Sequence, residues 1–100
     1  MQKILVYWRD IPAQVIVKAG RKRAKAELPP RFMQAIDRAA MRAGKGSSDA
    51  YMEDWRRVTS SVENCGDIQA CAEAEARELE ARYSPADLDT LIRAKGRAEN

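Results

Sequence analysis

The chain has 100 residues, 45% of them hydrophobic, with a formal net charge of +3, two cysteines and no histidine. One domain of this size holds a single core without a metal or disulfide staple. The missing histidine removes the commonest general base and metal ligand, and with it the Ser-His and Cys-His nucleophile schemes. No run of about 18 or more apolar residues exists to span a bilayer.

Residues 3–8 are β-branched and aromatic and read as a buried strand, with Ile4, Val6 and Trp8 on one face and Leu5 and Tyr7 on the other. Asp10, Ile11 and Pro12 are expected to end it, because proline cannot donate to a ladder. Residues 14–18 form a second strand, and Ala19-Gly20 suits a tight turn. Residues 21–28 alternate: Arg21, Arg23, Lys25 and Glu27 point one way and Lys22, Ala24, Ala26 and Leu28 the other. This is the pattern of a third strand at a sheet edge, where charge also discourages edge-to-edge aggregation.

Pro29-Pro30 changes the period. Phe32, Ala35, Ile36, Ala39 and Ala43 share a helical stripe, and Gly44 is placed to end it. Ser48 is expected to cap a second helix whose stripe is Met52, Trp55, Val58 and Val62. Asp67 reads as the cap of a third helix, with Ile68, Ala72, Ala76, Leu79 and Tyr83 inward and Glu73, Glu75, Glu78 and Glu80 over much of the rest. Ser84-Pro85-Ala86-Asp87 opens a last helix with Leu88, Leu91 and Ile92 as its apolar face. After Ala94 the chain turns polar and is expected to fray.

The expected fold is therefore α+β: a three-stranded antiparallel sheet from residues 1–28, then three to four helices over 29–94 packed on it, with 95–100 as a tail. All of it belongs to one domain. Because no secretory signal is apparent, the chain is expected in the cytoplasm, with Cys65 and Cys71 as reduced thiols.

No phosphate-binding loop, zinc spacing or catalytic constellation appears, so the sequence is read as non-catalytic, with no cofactor or metal. Cys71, beside Ile68 and Ala72, reads as a small core residue. Cys65 precedes a helix N-terminus, which lowers thiol pKa and makes it the one candidate reactive thiol. Charge is segregated: residues 1–46 carry 11 Lys and Arg against 3 Asp and Glu, whereas residues 47–100 carry 7 against 12. Two candidate contact surfaces follow. One is the strand-end rim of Trp8, Arg9 and Asp10, with the composition of an interface hot spot; its plain alternative is a core tryptophan beside a surface ion pair. The other is the basic hairpin of Arg21, Lys22, Arg23 and Lys25, able to meet an acidic protein, nucleic acid or the acidic half of a second copy. An edge protected by charge is its plain alternative.

The segments VYWRDIPAQVIV, LPPRFMQAIDRAAMRAG and DAYMEDWRR, in this order and spacing, resemble the small bacterial domain family named "virulence factor", over residues 2–60. The resemblance implies an accessory or interaction role. Some relatives look like appendages to larger proteins with HEAT-like repeats and an iron–sulfur-scaffold-like domain, and single-domain members occur beside corrinoid and folate methyl-transfer genes. It carries over no catalytic residue. The expectation is an accessory module binding an unidentified protein partner. Nucleic-acid binding through the hairpin is one alternative, and a thiol-dependent enzyme or carrier using Cys65 is the other. Self-association stays open, and no membrane contact is expected.

Overall fold

The computed structural model describes residues 1–45, 47–63 and 66–97. Its elements run β1 (Gln2–Trp8), β2 (Ile11–Ala19), β3 (Lys22–Glu27), α1 (Pro30–Arg42), α2 (Ser48–Glu53), β4 (Trp55–Ser61), α3 (Ile68–Arg82) and α4 (Pro85–Arg93). The α+β class and the antiparallel sheet are as expected, but the sheet has four strands, in the order β3-β2-β1-β4.

The fourth strand corrects the second helix. That helix stops at Glu53, Ser47 rather than Ser48 is its N-cap, and residues 55–61 are extended. The spacing of Met52, Trp55 and Val58 also suits a helix, but Trp55-Arg56-Arg57-Val58-Thr59 alternates as well. The free edge of β1 decides between them: β4 pairs along its whole length, from Gln2↔Ser61 to Trp8↔Trp55.

A second correction concerns Pro12, which lies inside β2 instead of ending β1. A bulge between Val6 and Tyr7 shifts the register so that Pro12 faces Tyr7. Its missing N–H is tolerated there because the ladder to β3 begins only at Gln14↔Glu27.

One face of the sheet carries the main core. Ala72, Ala76 and Leu79 of α3 are buried over β2 and β3, in one cluster with Val15, Val17, Ala24 and Ala26. Alanines on both sides let the helix axis approach the sheet closely. Asp67 caps α3, its carboxylate accepting from the amides of Gln69 (3.0 Å) and Ala70 (3.3 Å). α1 packs on α4, and Phe32 of α1 meets Tyr83, the residue that ends α3, edge to face at 6.1 Å. α4 starts with a reciprocal cap: the Asp87 amide donates to Ser84 Oγ (3.1 Å) and the Ser84 amide to Asp87 Oδ2 (3.0 Å).

Candidate functional site

Trp8 is fully buried (0% exposed). Its indole Nε1 donates to the carbonyl of Tyr51 at 2.8 Å, and its ring stacks on Tyr51 at 6.1 Å. Tyr51 in turn meets Trp55 edge to face at 5.8 Å. The two-residue turn after β1 holds Arg9 at φ 52. That backbone folds the guanidinium over the Trp8 ring, 5.0 Å from its centroid, where Nε meets Asp54 Oδ2 at 3.1 Å and Nη1 donates to the Lys95 carbonyl at 2.7 Å. The Asp10 amide donates to the Gly96 carbonyl at 2.8 Å, and its carboxylate accepts from Arg56 Nη2 at 3.1 Å. Arg56 Nε donates to the Arg9 carbonyl at 2.8 Å, with its guanidinium 4.6 Å above the Tyr7 ring.

The structure thus brings Trp8, Arg9 and Asp10 together, but as a closed lock rather than an exposed rim. Each side chain is committed to α2, β4 or the segment after α4. This corrects the expected contact surface at Trp8, which has no area left to offer a partner. It also corrects the expected fraying at Lys95 and Gly96. Lys95 stands at φ 61, both carbonyls accept bonds from the β1–β2 turn, and Gly96 lies against Trp8.

The basic hairpin does not form one patch. Arg21 sits in the turn, and Lys22 shares the side of Ala24 and Ala26, which face α3. Strand alternation sends Arg23 and Lys25 to the opposite face. On that face Ile4, Val6 and Ile16 are buried, yet they form a cluster of their own, joined only by part-buried Trp55 among the described residues. No described helix residue packs on the three. Lys18, Arg23, Lys25 and Arg57 surround them by register, with Glu27 as the nearby acid. Their aliphatic stems cover part of the apolar surface while the charges reach solvent. The Lys25–Glu27 contact, 3.8 Å between exposed groups, neutralises little. The pleat of β4 sends Arg57 to this face and Arg56 to the opposite one.

The acidic rear half is largely compensated in place. Glu75 meets Lys3 (3.1 Å), Glu80 meets Arg31 (3.4 Å), Glu78 meets Arg82 (2.7 Å) and Glu73 meets Arg77 (4.0 Å). Lys18, Arg23 and Arg57 form no ion pair among the described residues. Where β4 meets α2, a groove of about 600 Å³ is lined by Val6, Gln14, Tyr51, Met52, Trp55, Arg56 and Arg57, with Met52 63% exposed. Burial and the nearby Asp37 push the Tyr51 hydroxyl above its ordinary pKa. Burial, followed by the proximity of Tyr7 and Asp10, does the same for Tyr83.

Cys71 is disulfide-bonded, which overturns its expected reduced state. It stands half-buried in the first turn of α3 and packs against the main core. Cys65, the candidate reactive thiol and the sequence's other cysteine, lies outside the described residues. Among the described residues no group of His, Cys, Asp and Glu is arranged to hold a metal ion, and no helix is long and apolar enough to cross a membrane.

A family model described as "Virulence factor" matches residues 6–92, reaching well past the segments that first carried the resemblance. No curated protein and no solved structure matches the chain.

Proposed function

This chain belongs to the virulence-factor family, and we propose that it acts as a non-catalytic accessory module that docks an acidic protein partner on the uncovered face of its sheet. One observation carries this reading: on the sheet face that no described helix packs against, Lys18, Arg23, Lys25 and Arg57 surround Ile4, Val6 and Ile16, which are themselves buried at 1–7% exposure and leave the contact to this cationic rim and the groove at Trp55. Apolar surface beside a charged rim, here the groove of Tyr51, Met52 and Trp55 next to the cations, is the usual anatomy of a protein interface. No aromatic side chain is interleaved with Lys18, Arg23 and Lys25 on β2 and β3 to stack bases, and this favours protein over nucleic acid. The rim supplies steering toward an acidic surface. Four strands about 4.8 Å apart and some 20 Å long present roughly 400 Å². That is about half of one partner's share of a standard interface, so the expected complex is transient unless the flanking groove takes part.

The test compares pull-downs by three tagged 100-residue proteins at low salt, each with a nuclease-treated duplicate. These are the native chain, an Arg23→Glu/Lys25→Glu variant and an Arg21→Glu/Lys22→Glu variant. The expected result is a stoichiometric protein that survives nuclease, is lost with the first variant and is kept with the second. A partner retained by Arg23→Glu/Lys25→Glu would show the face is wrongly chosen. Recovery of nucleic acid in place of protein would transfer the basic face to that ligand.

A further inference from the structure

The partner's mode of binding follows from the hydrogen-bond parity of β4, and this step rests on the docking reading above. At one end of the β1–β4 ladder the Arg9 amide donates to the Asp54 carbonyl at 3.1 Å; at the other the Val62 amide donates to the Met1 carbonyl at 3.0 Å. Residue pairs in an antiparallel ladder alternate between bonded and non-bonded. Residues 54, 56, 58, 60 and 62 therefore turn their N–H and C=O toward β1, and residues 55, 57, 59 and 61 turn theirs outward. β4 is the last strand of the sheet, and among the described residues no hydrogen bond reaches the outward groups of Arg57 and Thr59. The opposite edge is partly closed, since the Gln69 side chain donates to the Lys25 carbonyl on β3 at 3.3 Å. The residues with outward backbone are also those whose side chains lie on the uncovered face, because Arg57 and Thr59 register with Val6 and Ile4.

From this we infer that the module binds its partner by strand addition: an extended acidic segment of the partner pairs with β4 as a fifth strand. Its backbone bonds Arg57 and Thr59, a carboxylate meets the Arg57 guanidinium, and an apolar side chain enters the groove beside Trp55 and Met52. Main-chain bonds then supply affinity, and alternate side chains supply selectivity. Charge decides the occupant. Pairing β4 with β4 of a second copy in a register centred on residues 57–59 sets two Arg57 side chains opposite or diagonal to each other, whereas an acidic strand sets a carboxylate against Arg57, the member of the cationic ring that β4 carries.

The test begins with selection of dodecapeptides from a random displayed library on the full chain. The tightest peptide is then synthesised and titrated. The expected winners are rich in Asp and Glu alternating with apolar residues. Their binding should slow exchange of the Arg57 and Thr59 amides and leave Arg56 and Val58, already bonded to β1, nearly unchanged. Thr59→Pro removes an outward N–H only, so it should weaken the peptide at least 10-fold with little change in melting temperature. Arg57→Glu should weaken it comparably without touching the backbone. Winners without acidic residues, protection elsewhere in the chain, no winners at all, or a dimer dissociated by Thr59→Pro would each overturn strand addition. Binding lost in Arg23→Glu/Lys25→Glu but kept in Thr59→Pro would remove strand addition and leave the docking face standing.

Discussion

Gly96 is where the lock around Trp8 can be tested with one methyl group. A Cβ built there would stand 2.7 Å from Trp8 Cζ3, 3.1 Å from Cε3 and 3.3 Å from Arg9 Cδ, at a backbone φ of +87. Two penalties add in Gly96→Ala. Holding an L-residue at positive φ costs about 1–2 kcal/mol. Forcing a methyl into a packed aromatic contact costs about 1–3 kcal/mol more, and Trp8, fully enclosed, has little room to retreat. Gly20 and Gly44 provide the internal control, since they stand at φ +61 and +71 with nothing within 4 Å of an added Cβ. Alanine at either carries the backbone penalty alone. Gly96→Ala should thus destabilise by roughly 3 kcal/mol and each control by about 1 kcal/mol. In a domain of this size that separates them by about 8–16 °C in melting temperature. The assay is urea and thermal unfolding of the three variants, followed by Trp fluorescence, which should shift to the red only for Gly96→Ala. A Gly96→Ala loss within about 0.5 kcal/mol of the Gly20→Ala loss would refute the close packing of the segment after α4 on Trp8.

Trp8→Phe deletes the bond to the Tyr51 carbonyl; a loss of about 1–3 kcal/mol in urea unfolding is expected, and a neutral result would mean the indole is not anchored there. The Arg9–Asp54 pair, with side chains only 10% and 20% exposed, should give a favourable coupling of about 1 kcal/mol or more in an Arg9→Ala/Asp54→Ala double-mutant cycle, whereas the more exposed Arg56–Asp10 pair should give less. Ser84→Ala removes half of the α4 capping box and should lower stability by about 1 kcal/mol, read from the urea midpoint. Tyr51 and Tyr83 hold their protons more tightly when folded. Unfolding therefore releases protons above the unfolded value of about 10, so stability is level with respect to these groups below that pH and falls as pH rises through the folded values. Tyr83→Phe should make the alkaline fall shallower; an identical slope in the variant would contradict the burial of that hydroxyl.

The first three strands were legible because β1 and β2 are runs of β-branched and aromatic residues and β3 alternates, with Gly20 in the turn between β2 and β3, although β2 begins at Ile11, inside the segment expected to end β1. The caps at Asp67 and Ser84 were legible for a similar reason: capping is local chemistry, readable from a few adjacent residues. β4 was not, since Trp55 and Val58 fit two periods at once and the choice rests with β1, some fifty residues away in sequence. The same mistake set Arg57 on a helix, and so missed the cationic ring, which only the register assembles. Trp8, Arg9 and Asp10 stood out in the sequence for a real reason, their density of aromatic and charged groups. What could not be read was that Asp54, Arg56, Lys95 and Gly96 return from three other segments to engage them. Cys71 illustrates another gap: its neighbours suggested a core thiol, whereas its disulfide depends on chain geometry outside its own helix.

The closed lock and the open face are linked by β4. Trp55 supports Tyr51, which stacks on Trp8, and it also borders the uncovered cluster of Ile4, Val6 and Ile16. Arg56 and Arg57 are sequence neighbours sent to opposite faces by the pleat. The first is spent on Asp10, Tyr7 and the Arg9 carbonyl, and the second is left facing solvent. One strand therefore fastens its sheet end with one arginine and presents the other. Were β4 a helix, as its apolar spacing suggests, the lock would lose Arg56 and β1 would lie at the sheet edge, leaving the face without Arg57. The densest side-chain chemistry of the sequence thus goes into holding β4 in place. The surface available to a partner is what that placement leaves uncovered.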